Sequence, residues 1–188
     1  MQNFDIFFYY SFSCSILLTY GIGLEKAFFD SRPDSRFIAR APGILAEMIL
    51  SVVAVYLLDT RVLFHPDFRV LVPMSTVFVC ALVQTLVSLV NQSVMRDIST
   101  GERIFYFGTV FLAVSEGGSL PDALIIAVAS VIAFYCASIL LFSVRQRIAS
   151  ATVPADWKGA PLILASMGLL AIVMHSADIS WWIQEVYR

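Results

Sequence analysis

A chain of 188 residues that is 59% hydrophobic and only 14% charged, with a mean hydropathy of +0.83, carries more apolar surface than a water-soluble fold can bury. A net charge of −2, with no long basic run, excludes a nucleic-acid-binding surface. A membrane-spanning helix needs about 20 residues, so the length holds about six spans with short connections. The expectation is a single transmembrane domain over 1–188, with lipid as its solvent.

The first apolar segment, 4–24, follows Met1-Gln2-Asn3-Phe4-Asp5 without the basic start or small-residue cleavage site of a signal peptide, and is expected to remain as a helix. It closes on Gly21-Ile22-Gly23-Leu24-Glu25-Lys26, small residues leading to a glutamate. The second and third spans, 38–58 and 70–90, contain Glu47 and Gln84. The fourth, 104–117, is short: its apolar run from Ile104 to Ser115 crosses about 18 Å of a ~30 Å core. It is therefore expected to stop inside the bilayer at Ser115-Glu116-Gly117-Gly118-Ser119, where only protein or a water-lined cavity can satisfy the freed backbone groups. Pro121 suits the first turn of the fifth span, 121–144, and the sixth covers 160–182.

Breaks in spans one and four suggest two inverted repeats of three helices, about 1–95 and 96–188, with a site where the halves meet. Lys26, Arg32, Arg36, Arg40, Arg96, Arg103, Arg145, Arg147 and Lys158 fall in the loops after spans one, three and five, and only Arg61, Arg69 and Arg188 on the other side. Both termini are thus expected on the outer face, with Trp181, Trp182 and Tyr187 in its aromatic belt.

Intramembrane carboxylates are costly, so Glu116, Glu25 and Glu47 are ion-pathway candidates, joined by Gln84. Three of these have a plainer alternative. Glu25 can face water beside Lys26, Glu47 can pair with Arg40 from the cytoplasmic side, and Gln84 can bond a neighbouring helix. Asp122 reads as a dipole partner in the first turn of the fifth span, and His175 with Asp178 as a wet contact near the outer interface. Cys14, Cys80 and Cys136 are scattered through apolar runs and read as packing residues, and no metal or catalytic site is expected. No nucleotide or hydrolase fingerprint is present.

Val144-Arg145-Gln146-Arg147-Ile148-Ala149, followed by Val153-Pro154-Ala155-Asp156-Trp157-Lys158-Gly159, resembles the I-R-E-R-L…V-P-x-x-[FW]-[RK]-G signature of the RnfA/NqrE-type membrane subunits of the Rnf and Na⁺-NQR electron-transport complexes. Leu57-Leu58-Asp59-Thr60 and Gln84 are similar to positions of that family too. The resemblance implies six helices in an inverted repeat with helices one and four broken, and a bacterial inner-membrane location. It also implies an RnfE/NqrD-type partner subunit, with 2Fe-2S clusters and flavins held within the complex.

In that family each broken helix supplies a cysteine to a mid-membrane 2Fe-2S cluster. Here the G-L-C-P motif is replaced by Gly23-Leu24-Glu25-Lys26, and the residue nearest the cysteine of the T-N-C motif is Ser119. The connection between spans four and five is also abbreviated. The expected role is therefore a structural or ion-pathway component of a redox-driven ion pump, non-catalytic or at most an electron relay, with cluster and flavins in partner subunits. The alternative is a small ion or solute transporter that reuses the same scaffold.

Overall fold

The computed structural model describes residues 6–13, 21, 35–61, 71–90, 100–150, 154 and 159–186. The side chains of 12–13, 35–40, 90, 100, 149 and 176–186 are outside that description. Glu25, Lys26 and Cys14 lie outside the described residues, as does most of the loop signature ahead of the last span. Every regular element among the described residues is helical. After a π-helical turn at Tyr9–Ser13 come α1 (Ser35–Arg61), α2 (Val72–Val90), α3 (Thr100–Glu116), α4 (Leu120–Ser150) and α5 (Ala160–Val186).

The helices follow the expected spans but overrun them where the sequence turns polar. Helix α3 begins at Thr100 rather than Ile104, because Glu102 in its first turn complements the helix dipole. Its 17 residues still reach only about 25 Å, short of a ~30 Å core. Helix α4 continues past Val144 to Ser150, since Arg145, Gln146 and Arg147 are good helix formers and no Gly or Pro intervenes. Hydropathy detects where the lipid ends, whereas the helix ends where backbone chemistry stops it. Helix α1 keeps Pro42 inside it, at the cost of one backbone hydrogen bond in its second turn. Gly159, at φ +102, leads into α5, and its carbonyl accepts from the Ile163 amide at 3.2 Å.

Among the described residues three helices have the length and hydropathy to cross a bilayer: Ala41–Arg61, Val72–Leu89 and Leu120–Ile148. Helix α5 adds a shorter apolar run, Ala160–His175. Helix α4 is the core of the bundle, with 56% of its apolar stretch buried against 22% for α2. It packs on α1, α3, α5 and the amino-terminal turn, while α1 packs also on α2 and α3, α2 on α3, and α5 on the amino-terminal turn. Phe105 and Phe134 lock α3 to α4 by stacking, with centroids 3.9 Å apart.

Apolar side chains cover much of the described surface as well as the core, unlike a water-soluble protein. Met74, Phe78, Leu86 and Leu89 on α2 and Leu169, Ile172 and Val173 on α5 are exposed, while Glu47, Ser51, Thr76, Glu102, Thr109 and Ser130 are buried. An apolar exterior of this extent requires lipid or protein against it. Thr76 and Thr109 meet their needs locally by donating to the carbonyls of Val72 and Phe105, each at 2.8 Å.

Candidate functional site

The expected interruption after the fourth span is present. Helix α3 ends at Glu116, Gly117 and Gly118 are non-helical, and α4 starts at Leu120 with Pro121 in its first turn. The Gly117 amide closes α3 by donating to the Ala113 carbonyl at 3.0 Å. Gly117 is required by a close approach: a Cβ there would stand 2.5 Å from the Ala113 oxygen and 2.8 Å from the Ala123 Cβ. The break is thus a tight corner in which one helix end touches the first turn of the next.

Ser119, the residue nearest the family's second cysteine, is used as the cap of α4. Its hydroxyl donates to the Asp122 carboxylate and lies 3.5 Å from the Asp122 amide, while its carbonyl accepts from the Ala123 amide at 3.0 Å. Asp122 takes the first-turn position expected of it. Glu116 is exposed and accepts a hydrogen bond from Tyr10, a buried residue of the amino-terminal turn. The fourth-span break is therefore tied to the amino-terminal segment. From the first break only Gly21 is described; it is non-helical at φ +68, a left-handed conformation that suits glycine.

Glu47 occupies a different place. It is 6% exposed, on the face of α1 that meets α2 and α3, and its Oε1 has no hydrogen-bond partner among the described residues. Ser51, one turn later, shares a hydrogen bond with the Tyr106 hydroxyl of α3. Tyr106 also meets the Cys80 thiol of α2, and both lie within electrostatic reach of Glu47. Helices α1, α2 and α3 thus close around four polar side chains. Gln84 is half-buried one turn beyond Cys80 on the same face of α2, and His175 is exposed on α5. The side chains of Arg40 and Asp178, the suggested partners of Glu47 and His175, lie outside the description.

Sequence reasoning singled out Glu47 but missed Ser51, Tyr106 and Tyr10. The i, i+4 spacing of Glu47 and Ser51 was readable as a shared face. Nothing in the sequence aligns Tyr106 with them, since that depends on how far α3 is shifted along α1.

An iron–sulfur cluster needs thiolates, with histidine the usual substitute. The corner between α3 and α4 offers carboxylate and hydroxyl. Cys80 is buried between the helices, and Cys136 is exposed about 25 Å along α4 from Ser119. No three His, Cys, Asp or Glu residues converge among the described residues. The donors at this corner do not fit a 2Fe-2S centre.

No protein-family model matches the chain. The A subunit of the ion-translocating oxidoreductase complex of Vibrio vulnificus (strain YJ016) is 26% identical over 141 residues, which cover 69% of this chain and 73% of that protein. Its counterpart of the same name from Aliivibrio salmonicida (strain LFI1238) gives the same identity and the same coverage. The similarity supports a family relation with these proteins, and the exposed apolar helices agree with a membrane protein.

Proposed function

We propose that the chain is a membrane-core subunit of an Rnf-type ion-translocating electron-transport complex, with a structural or ion-pathway role. The observation that carries this reading is the similarity to the A subunits of ion-translocating oxidoreductase complexes over 69% of the chain, joined to a helix that stops short within an apolar bundle. Its partners are then the other membrane subunits of such a complex, with an RnfE/NqrD-type subunit packed beside it. The cluster and flavins are held by those partners, because Ser119 serves as a helix cap and the described cysteines stand away from the break.

Two inverted halves, about 1–95 and 96–188, are part of the proposal. Exchange the amino-terminal turn with α3, α1 with α4, and α2 with α5. Each of the main helix packings then maps onto another or onto itself, except that of α3 on α4. This near-symmetry supports a repeat, as does non-helical backbone at both Gly21 and Gly117. The Lys and Arg of the loops support an inner-membrane protein with both termini on the periplasmic side.

Affinity purification of the tagged chain from its native membrane tests the assignment. Flavin- and iron-containing proteins are expected in the eluate, with iron assigned to peptides of the partners. A chain that elutes alone, and by itself carries ions or solutes across vesicles, overturns the subunit reading in favour of a transporter.

A further inference from the structure

A carboxylate enclosed by helices in lipid is stable only when something removes or balances its charge. Glu47 is 6% exposed with an unpartnered Oε1, and no charged group acts on it among the described residues. The titratable groups facing it are the Cys80 thiol from α2 and the Tyr106 phenol from α3, both ordinarily neutral. One turn before Tyr106 lies the buried Glu102, an acid that offers no positive charge. The ionisable groups of α4 are Asp122 near its start, Tyr135 and Cys136 in its middle, and Arg145 and Arg147 in its last turns; none of these acts on Glu47.

Among the described residues nothing balances a charge on Glu47, so a bound cation is the way to balance it, and the donor set selects which one. Hard metal cations collect about six to eight oxygens. This enclosure offers one carboxylate, two hydroxyls already bonded to each other, and a soft thiol. A proton requires a single oxygen, and the Ser51–Tyr106 hydroxyl pair lies one turn further along α1.

We infer that Glu47 is a proton-binding site, taking up and releasing a proton at its unpartnered carboxylate oxygen beside the Ser51–Tyr106 hydroxyl pair. The carboxylate and the proton form the neutral acid, and release restores both. The inference rests on the ion-pathway reading in making a proton the cargo at this point. Its test uses the chain alone, so failure to assemble with redox partners and failure of this site give separate results.

Purified full-length chain in lipid nanodiscs is treated with dicyclohexylcarbodiimide, which couples to protonated carboxyl groups in apolar surroundings, and the adduct is located by peptide mass. The adduct is expected on Glu47, decreasing as pH rises and unprotected by Na⁺. Glu47→Gln should lose it and the shorter acid Glu47→Asp keep it. Tyr106→Phe should move the pH of half-maximal labelling while helix content stays the same. Absence of labelling on a chain of unchanged circular dichroism overturns the inference. So does labelling independent of pH, which marks a permanently neutral packing residue. Protection by Na⁺ at constant pH overturns it in favour of a metal cation.

Discussion

Two carboxylates, one at the helix break and one inside the bundle, differ in every physical respect. Glu116, beside the break, is exposed and already hydrogen-bonded by Tyr10, whereas Glu47, within an unbroken helix, is buried with an oxygen unpartnered. A conspicuous motif marks the first and no motif marks the second. A glycine-rich break advertises itself in sequence because backbone geometry demands particular residues there. A buried acid depends on three helices arriving together, and sequence is silent on their meeting. The break is thus chiefly a matter of backbone packing, and the enclosure one of polar chemistry.

That contrast can be broken first at the contact both regions depend on. Helix α3 carries Tyr106 into the enclosure and Glu116 to the break, and the Phe105–Phe134 stack holds it against α4. Phe134→Ala is expected to cost about 3–5 kcal/mol, the range for emptying a buried aromatic site. Unfolding in mixed detergent micelles measures it. A loss below ~1 kcal/mol would mean that the two regions are held independently of this contact.

Next in size is Gly117→Ala, which tests whether the break is a packing device. The added methyl group meets backbone oxygen and the Ala123 methyl, atoms that a side-chain rotation cannot move away. Overpacking of about 1–3 kcal/mol is expected. Gly118→Ala is the control, since nothing lies within 4 Å of its Cβ position. Equal effects of the two substitutions would refute the close-approach argument.

The enclosure is sharpened by a double-mutant cycle. Tyr106→Phe leaves the Ser51 hydroxyl buried without its partner, and Ser51→Ala leaves Tyr106 with the weaker Cys80 thiol alone. Each single change is expected to cost about 1–3 kcal/mol, and the double change clearly less than their sum, because it leaves neither group stranded. Additive costs would show that the two hydroxyls act separately.

Much of this fold was legible from composition and punctuation. Hydropathy located α1, α2, α4 and α5 within a few residues, and Gly117, Gly118 and Pro121 marked the turn between α3 and α4. The overruns at Thr100 and Ser150 were not legible, because a helix leaving lipid keeps its backbone bonds while its side chains become polar. Ser119 stands nearest a cysteine of the family motif, and S-x-x-D before an apolar run also describes the cap it forms. Tyr10 illustrates a different limit: its bond to Glu116 joins residues 106 positions apart, a contact that no local pattern encodes.

The smallest expected effect belongs to that last contact. Tyr10→Phe removes a hydroxyl from an acceptor that is exposed, so the Glu116 carboxylate can exchange its partner for water or a lipid headgroup. A cost of about 0.5–1 kcal/mol is expected, and Glu116→Gln, which still accepts a hydrogen bond, should cost no more. The decisive quantity is the ratio to the Tyr106→Phe loss under the same conditions. If Tyr10→Phe equals or exceeds it, Glu116 is shielded from solvent in the native membrane, and the difference between an open break and a closed enclosure disappears. A small loss at Tyr10 beside a large one at Tyr106 would place the costly polar chemistry of this chain among α1, α2 and α3.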